Sequence, residues 1–425
     1  MIRWRRRTPR RIVGRVTTAS PDNPPPTLSA TPTLSLAILA CATFSSAASI
    51  RVSDPLLPQV AASFGTTAGE ASAIVTAFTL AYGLMQIFYG AAGDRMGKVR
   101  LIAITTLLAA AGSLACALAP SLLALTVARF ATAAVACAII PLSFAWIGDV
   151  IPYARRQPVL ARFITGQILG MIFGQVAGGI LGDAFGWRWV FGALAIAYVV
   201  AGLVLLLHLR FDPLTRLRDS SGVPGLAGLV RSWRDTIGLL RDSWVRVILT
   251  AVAAEGFLFF GAFTYVGNEL RHRFAIDYTI VGLAMTAYGG GGLVYTAGVG
   301  RLVQMLGEAG LARVGGTLLG TGFVVLVLAP ALWVSVLAIA LCGLGFFMLH
   351  NTLQTHGTQM APKARGAGVA AFATALFLGQ SLGVAIAAPI VDHIGATPVF
   401  LGAAIGMPLI GFALASSLRR APHRR

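Results

Sequence analysis

The chain has 425 residues, of which 56% are apolar and only 11% charged, with a formal net charge of +18. Soluble domains carry roughly 25% charged residues, so the composition excludes a water-soluble globule and describes a chain that lies mostly in lipid. The excess of Lys and Arg does not mark a nucleic-acid partner, because 28 of the 33 fall in the two tails and in alternate connections between apolar stretches, a distribution that reports membrane topology.

Residues 1–33 hold seven Arg and then a Pro, Ser and Thr-rich run, expected to be a disordered, basic cytoplasmic tail. The apolar stretch that follows is too long for a secretory signal and is not followed by a small-residue cleavage site. Twelve stretches of about 20 or more apolar residues come next, each long enough to cross a ~30 Å hydrocarbon core as a helix. They lie near 34–60, 70–91, 100–119, 122–148, 160–182, 189–208, 244–268, 279–302, 310–330, 333–355, 367–391 and 398–418. Only Arg188, Arg271 and Arg273 fall on the side opposite the other charged connections. Both termini are therefore expected in the cytoplasm, with the chain as a multi-pass protein of the inner (plasma) membrane.

The longest polar interruption, 209–243, contains Leu226, Leu229, Val230, Trp233, Ile237 and Leu240 at helical spacing, with Arg231, Arg234, Asp235 and Arg241 opposite. It reads as an amphipathic surface helix that tethers two six-helix bundles, 34–208 and 244–418. Residues 419–425 are a short basic cytoplasmic tail. Cys41, Cys116, Cys137 and Cys342 lie within spans without metal-ligand or disulfide spacing, so neither a metal nor any other cofactor is expected.

The two bundles repeat each other. Residues 90–97 read GAAGDRMG, and 210 residues later 300–307 read GRLVQMLG. At the same offset Pro152, Ala154 and Arg155 map onto Pro362, Ala364 and Arg365, while Gly166, Gln167 and Gly170 map onto Gly379, Gln380 and Gly383 at 213. Gly186 and Phe191 map onto Gly395 and Phe400 at 209. Two parallel six-span halves are the architecture of a transporter that rocks between access to one side and the other.

Four ionisable residues lie clearly within spans, away from their ends: Arg51 and Asp54 in span 1, Arg129 in span 4 and Glu255 in span 7. Each is costly in hydrocarbon and must face a cavity or a partner. Arg51 and Asp54, three apart, can pair with each other, or Asp54 can neutralise Arg129. Glu255 has no basic residue near it in sequence. Low dielectric disfavours an unpaired carboxylate, which suits a group that takes up and releases a proton, with Asp54 and Arg129 as further coupling candidates. Pairing of Glu255 with Arg51 or Arg129 is the structural alternative. Arg51, Tyr82, Gln86, Gln175, His350, Asn351, Gln354 and Gln380 are the polar candidates for a substrate cavity, and Phe257, Phe259, Phe260 and Phe377 are candidates for its apolar wall.

In these motifs the chain resembles the major facilitator superfamily, and within it the twelve-span drug:proton antiporters, over residues 34–418. Gly90, Asp94, Arg95, Gly97, Lys98 and Arg100 match the loop 2–3 signature G-x-L-x-D-R-x-G-R/K, with Ala92 at the Leu position. The resemblance implies an all-α membrane protein of twelve helices in two pseudo-symmetric bundles. It also implies a conformational lock made by Gly90, Asp94, Arg95, Gly97 and Lys98, with Asp149 pairing with Lys98, Arg155 or Arg156. Gly90 and Gly97 are expected to permit close helix approach and a tight turn, and Asp94 to accept N–H groups at a neighbouring helix N-terminus. Gln304 stands where the second copy would carry the acid. Arg129 falls where the family places an intramembrane Arg linked to proton transfer. Gly170, Gly174, Gly178 and Gly179 match the antiporter pattern of span 5, with Gln175 in the Pro position, although small residues four apart also serve helix packing alone. Residues 186–189 (GWRW) match the branch's entry to span 6.

The expectation is a monomeric, proton-coupled exporter of small organic or drug-like molecules, not an enzyme, with the substrate, protons and the lipid bilayer as its partners. The alternative is proton-coupled uptake of a small polar or anionic metabolite.

Overall fold

Backbone N–H and C=O groups have no water to bond in hydrocarbon, so a chain of this composition must pair them within helices. The computed structural model describes residues 33–212, 234, 237–361 and 365–420, and among these every regular element is helical. The N-terminal tail, most of the expected linker helix, residues 362–364 and the last five residues lie outside the described residues. Eleven helices are long and apolar enough to cross a membrane. One of them, Tyr278–Leu328, has 51 residues, about 76 Å of helix and enough to cross twice. It leaves helical geometry at Gly307, with φ 62° and ψ 176°. Spans 8 and 9 are the residues on either side, and the twelve expected spans are present. Leu118, Leu123, Trp189, Ile196 and Phe211 are among the large apolar side chains exposed around the perimeter, as a lipid-facing surface requires.

The backbone repeats more strictly than the sequence does. Six described residues have left-handed φ, and they form three pairs: Gly65 (64°) with Ala275 (50°), Gly97 (88°) with Gly307 (62°), and Gly186 (91°) with Gly395 (86°). The offsets are 210, 210 and 209 residues. Each marks a reversal between spans, where glycine adopts positive φ without a Cβ penalty; Ala275 is the one position that tolerates it with a side chain.

Small residues set the helix contacts. Methyl groups placed on Gly170, Gly174 and Gly178 of span 5 would stand 2.6, 2.5 and 2.7 Å from the carbonyls of Phe44, Ala48 and Val52 in span 1. Gly379 and Gly383 of span 11 press in the same way on the carbonyls of Ala253 and Phe257 in span 7. Across the halves, span 5 meets span 8 at Gly179 and Gly282, and span 2 meets span 11 at Gly83 and Phe377. Packing therefore accounts for the span 5 glycines, as small-residue spacing in lipid predicts.

Spans 1 and 7 are broken at related places. Span 1 ends one helix at Arg51 and restarts through a short 3-10 turn, Asp54–Leu56, with Pro55 inside it. Span 7 widens into a π-turn over Gly256–Phe260 directly after Glu255, then turns again at Thr264 and Tyr265. Interrupted helices at membrane depth are tolerated where backbone faces protein or a water-filled space. These breaks set Arg51 and Glu255 against the interior of the bundle.

Candidate functional site

A cavity of about 2040 Å³ runs from a mouth lined by Asp149, Arg156, Asp242, Glu308 and Arg419 to an inner end at Arg51, Phe260 and Gln380. The mouth lies at the end of the bundle that holds the 2–3 and 8–9 turns. Of the eight expected polar lining residues, Arg51, Tyr82, Gln86, His350, Asn351, Gln354 and Gln380 line it. Gln175 does not. It is buried in span 5, on the face packed against Gly282 of span 8, because the glycines around it draw that face into a helix contact. Of the four phenylalanines considered, Phe260 and Phe377 line the cavity, whereas Phe259 is buried among Phe263, Tyr288, Phe323 and Phe346 and Phe257 lies against span 11.

Glu255 is fully buried, and its partner is neither Arg51 nor Arg129. His350 Nδ1 of span 10 lies 2.8 Å from Glu255 Oε2, and Oε1 has no hydrogen-bond partner among the described residues. The imidazole stacks on Phe346 at 4.8 Å and 11°, and Phe372 stands 5.6 Å away. His350 itself lines the cavity. The carboxyl is thus shielded from the chamber by an imidazole that faces it, a geometry in which a proton can be exchanged between cavity and carboxyl through one side chain.

Arg51 pairs with Asp54 at 3.5 Å and stacks over the Phe260 ring at 3.9 Å. Asp54 is fully buried, with Oδ1 unpartnered among the described residues. Arg129 does not share this carboxylate: its guanidinium donates to the Ser49 carbonyl at 3.1 Å and to Ser49 Oγ at 3.4 Å, and stacks on Phe78 at 3.9 Å. A carbonyl and a ring face disperse its charge locally, which holds span 4 to span 1 and keeps Arg129 out of the cavity wall.

At the mouth, Lys98 Nζ bridges Asp94 at 2.8 Å and Asp149 at 2.7 Å, tying the 2–3 turn to the end of span 4. Asp149 therefore takes Lys98 among the three partners considered. Arg156 donates instead to the carbonyls of Gly148 and Ile151, while Arg95 and Arg155 are exposed. Asp94 bonds this lysine and does not cap a neighbouring helix, so the contacts described for it stay within the first half. The turn forms at Gly97 as expected, but Gly90 gives no close approach: nothing lies within 4 Å of a methyl placed there, whereas one on Gly93 would meet Leu142 at 2.5 Å. Gln304 is exposed on the repeat turn.

The opposite end is closed by two matched contacts. Asp392, at the end of span 11, accepts from Thr67 Oγ1 at 2.6 Å and from the Gly69 N–H at 2.8 Å. Asp183, at the end of span 5, accepts from Thr279 Oγ1 at 2.8 Å. Behind the first, Tyr265 donates to the Val384 carbonyl at 3.0 Å and lies 2.8 Å from Ser72 Oγ. Sequence reasoning missed these acids although a signal existed: Asp183 and Asp392 each precede a turn glycine by three residues and stand 209 apart. Tyr288 and Phe346, also in the cavity wall, carried no such mark.

A sequence profile of the Major Facilitator Superfamily matches residues 39–384. Among similar proteins, the uncharacterized MFS-type transporter YwfA of Bacillus subtilis is 25% identical over 85% of this chain and 86% of its own. The multidrug export protein EmrB of Escherichia coli is 28% identical over 45% of this chain and 38% of its own. A crystal structure of a POT family transporter in complex with 5-aminolevulinic acid superposes with a TM-score of 0.73 at 13% identity, covering 91% of this chain and 96% of that one. Two repeated six-span halves, crossed contacts between spans 2 and 11 and spans 5 and 8, and a one-ended central cavity agree with the profile match, and the chain belongs to the Major Facilitator Superfamily.

Proposed function

We propose that this transporter couples protons to the export of small organic molecules by alternating access, with Glu255 as the proton site and His350 as its relay to the cavity. The observation that carries the reading is the buried Glu255–His350 pair, 2.8 Å apart, in the wall of a cavity open at one end. A carboxyl without other charged partners can change protonation only by exchanging with that cavity, so its state is linked to which side the cavity faces. The partial likeness to a multidrug export protein supports export. Charge asymmetry supports an inner-membrane location with both termini, and the cavity mouth, in the cytoplasm. In this arrangement the Asp183 and Asp392 contacts hold the outer side closed, and the halves rock about the span 2–11 and span 5–8 seams.

Expression in a pump-deficient bacterial host should lower the accumulation of drug-like dyes, and an uncoupler should restore it. In liposomes, an imposed pH gradient should drive solute movement accompanied by proton flux. Gradient-independent movement would overturn the coupling. A second reading, uptake of a small anionic metabolite, is favoured by Arg51 facing the cavity; proton-linked uptake of an organic acid without dye efflux would decide for it.

A further inference from the structure

The inner end of the cavity is built from side chains whose hydrogen-bonding capacity is unspent. Arg51 is 3% exposed, yet its guanidinium has one hydrogen bond, at 3.5 Å to Asp54, and its Nε has no partner among the described residues. Gln380 is fully buried and neither amide atom is partnered among the described residues. Gln86, also buried, leaves Oε1 unpaired among the same residues. All three line the cavity. Buried polar groups are nearly always satisfied in folded proteins, so a cluster of unsatisfied ones on residues that line a chamber marks a place that a polar ligand completes.

The sign of the charge follows from which groups face inward. The acids of the membrane interior, Asp54 and Glu255, are both fully buried, stand behind their basic partners, Arg51 and His350, and do not line the cavity. The acids that do line it, Asp149, Asp242 and Glu308, sit at the mouth near Arg156, His356 and Arg419. A ligand at the inner end therefore meets the Arg51 guanidinium with no carboxylate among the lining residues beside it, so a group that accepts hydrogen bonds is favoured there over a cation. Aromatic faces adjoin these groups: Tyr82 and Phe377 lie 4.5 Å apart, and Phe377 precedes Gln380 by one turn of span 11.

We propose that this inner end binds an aromatic carboxylate, with the carboxylate held by Arg51 Nε and the Gln380 amide N–H groups and the ring set against Tyr82 and Phe377. The assignment rests on the reading of this cavity as the transport site, and it names the substrate class of that site whichever way transport runs.

The test compares three near-isosteres, phenylacetate, phenylacetamide and phenethylamine, by calorimetry on the full chain purified in detergent at neutral pH. Phenylacetate should bind at least about tenfold tighter than the amide, a difference of about 1.4 kcal/mol, and the amine should give no saturable heat. Arg51→Lys, which keeps the charge but loses Nε, should remove most of that preference. Gln380→Leu should also weaken the acid, while leaving thermal stability equal or higher because two unsatisfied polar atoms are deleted. The proposal is overturned if the amine binds as tightly as the acid, if all three bind alike, if both variants keep the wild-type preference, or if neither phenylacetate nor a two-ring naphthoate binds. Binding in detergent needs no proton gradient, so a failure of coupling in liposomes would leave this result standing. Loss of binding here with coupled transport of another solute intact would overturn this inference alone.

Discussion

Asp183 and Asp392 occupy equivalent places in the two halves, 209 residues apart, and each accepts a hydrogen bond from the threonine-bearing start of a span in the other half. Span 5 is tied in this way to span 8, and span 11 to span 2, so the pair closes one end of the molecule symmetrically. Both carboxylates are exposed, so each contact contributes only about 1 kcal/mol. The double variant Asp183→Ala, Asp392→Ala should shift the ratio of the two access states by about thirtyfold toward opening at this end. Spin labels at the exposed residues Ala62 and His393 should then report a longer distance, and an unchanged distance distribution would show that the contacts do not set the equilibrium.

Glu255→Gln should abolish gradient-driven transport while leaving downhill exchange, since the amide mimics the protonated carboxyl and removes only the coupling step. His350→Gln should retain exchange but slow coupled transport by about tenfold or more, as loss of a positioned proton carrier does. Rates measured in liposomes between pH 6 and 8 read both effects, and wild-type pH dependence in Glu255→Gln would move the proton site to Asp54.

Among the described residues, Lys98 is the one basic residue that pairs with both Asp94 and Asp149. The acids are partly exposed, so the bridge adds only about 1 kcal/mol to stability. Asp94→Asn should leave the melting temperature of the purified protein nearly unchanged yet cut transport by about tenfold or more, because a lock of the kind the family resemblance implies acts on the equilibrium between access states. Gln304→Ala on the repeat turn should be close to neutral. Equal losses from the two would refute a lock confined to the first copy.

The glycines of the signature should separate cleanly. Gly97 has φ 88° and should lose about 1 kcal/mol on replacement by Ala. Gly90→Ala has open space around it and should be neutral or slightly stabilising, because Ala is the better helix former. Gly174→Leu drives a side chain into the span 1 backbone and should cost about 3 kcal/mol or prevent insertion. Thermal denaturation in detergent ranks the three variants.

Much of the architecture is legible in the sequence. Length and hydrophobicity dictate twelve crossings, because a helix must be about 20 residues long to span hydrocarbon, and charge placement sets a consistent orientation. The 210-residue repeat anticipated the paired turns at Gly97 and Gly307, since a reversal that needs positive φ leaves a glycine in the sequence of both halves. The seven cavity residues were recognisable because a polar side chain in a hydrophobic span has few places to go. What composition and spacing could not decide was which polar groups meet. Glu255 and His350 are 95 residues apart, and Arg129 finds a carbonyl and a phenyl ring instead of an acid; both outcomes depend on how helices rotate about their axes when glycine seams close. Gln175 shows the same limit, because the packing of Gly179 on Gly282 turns it away from the cavity. Periodicity assigns a residue to a helix, but only the packed bundle assigns it a neighbour, and the chemistry of this protein lies in those neighbours.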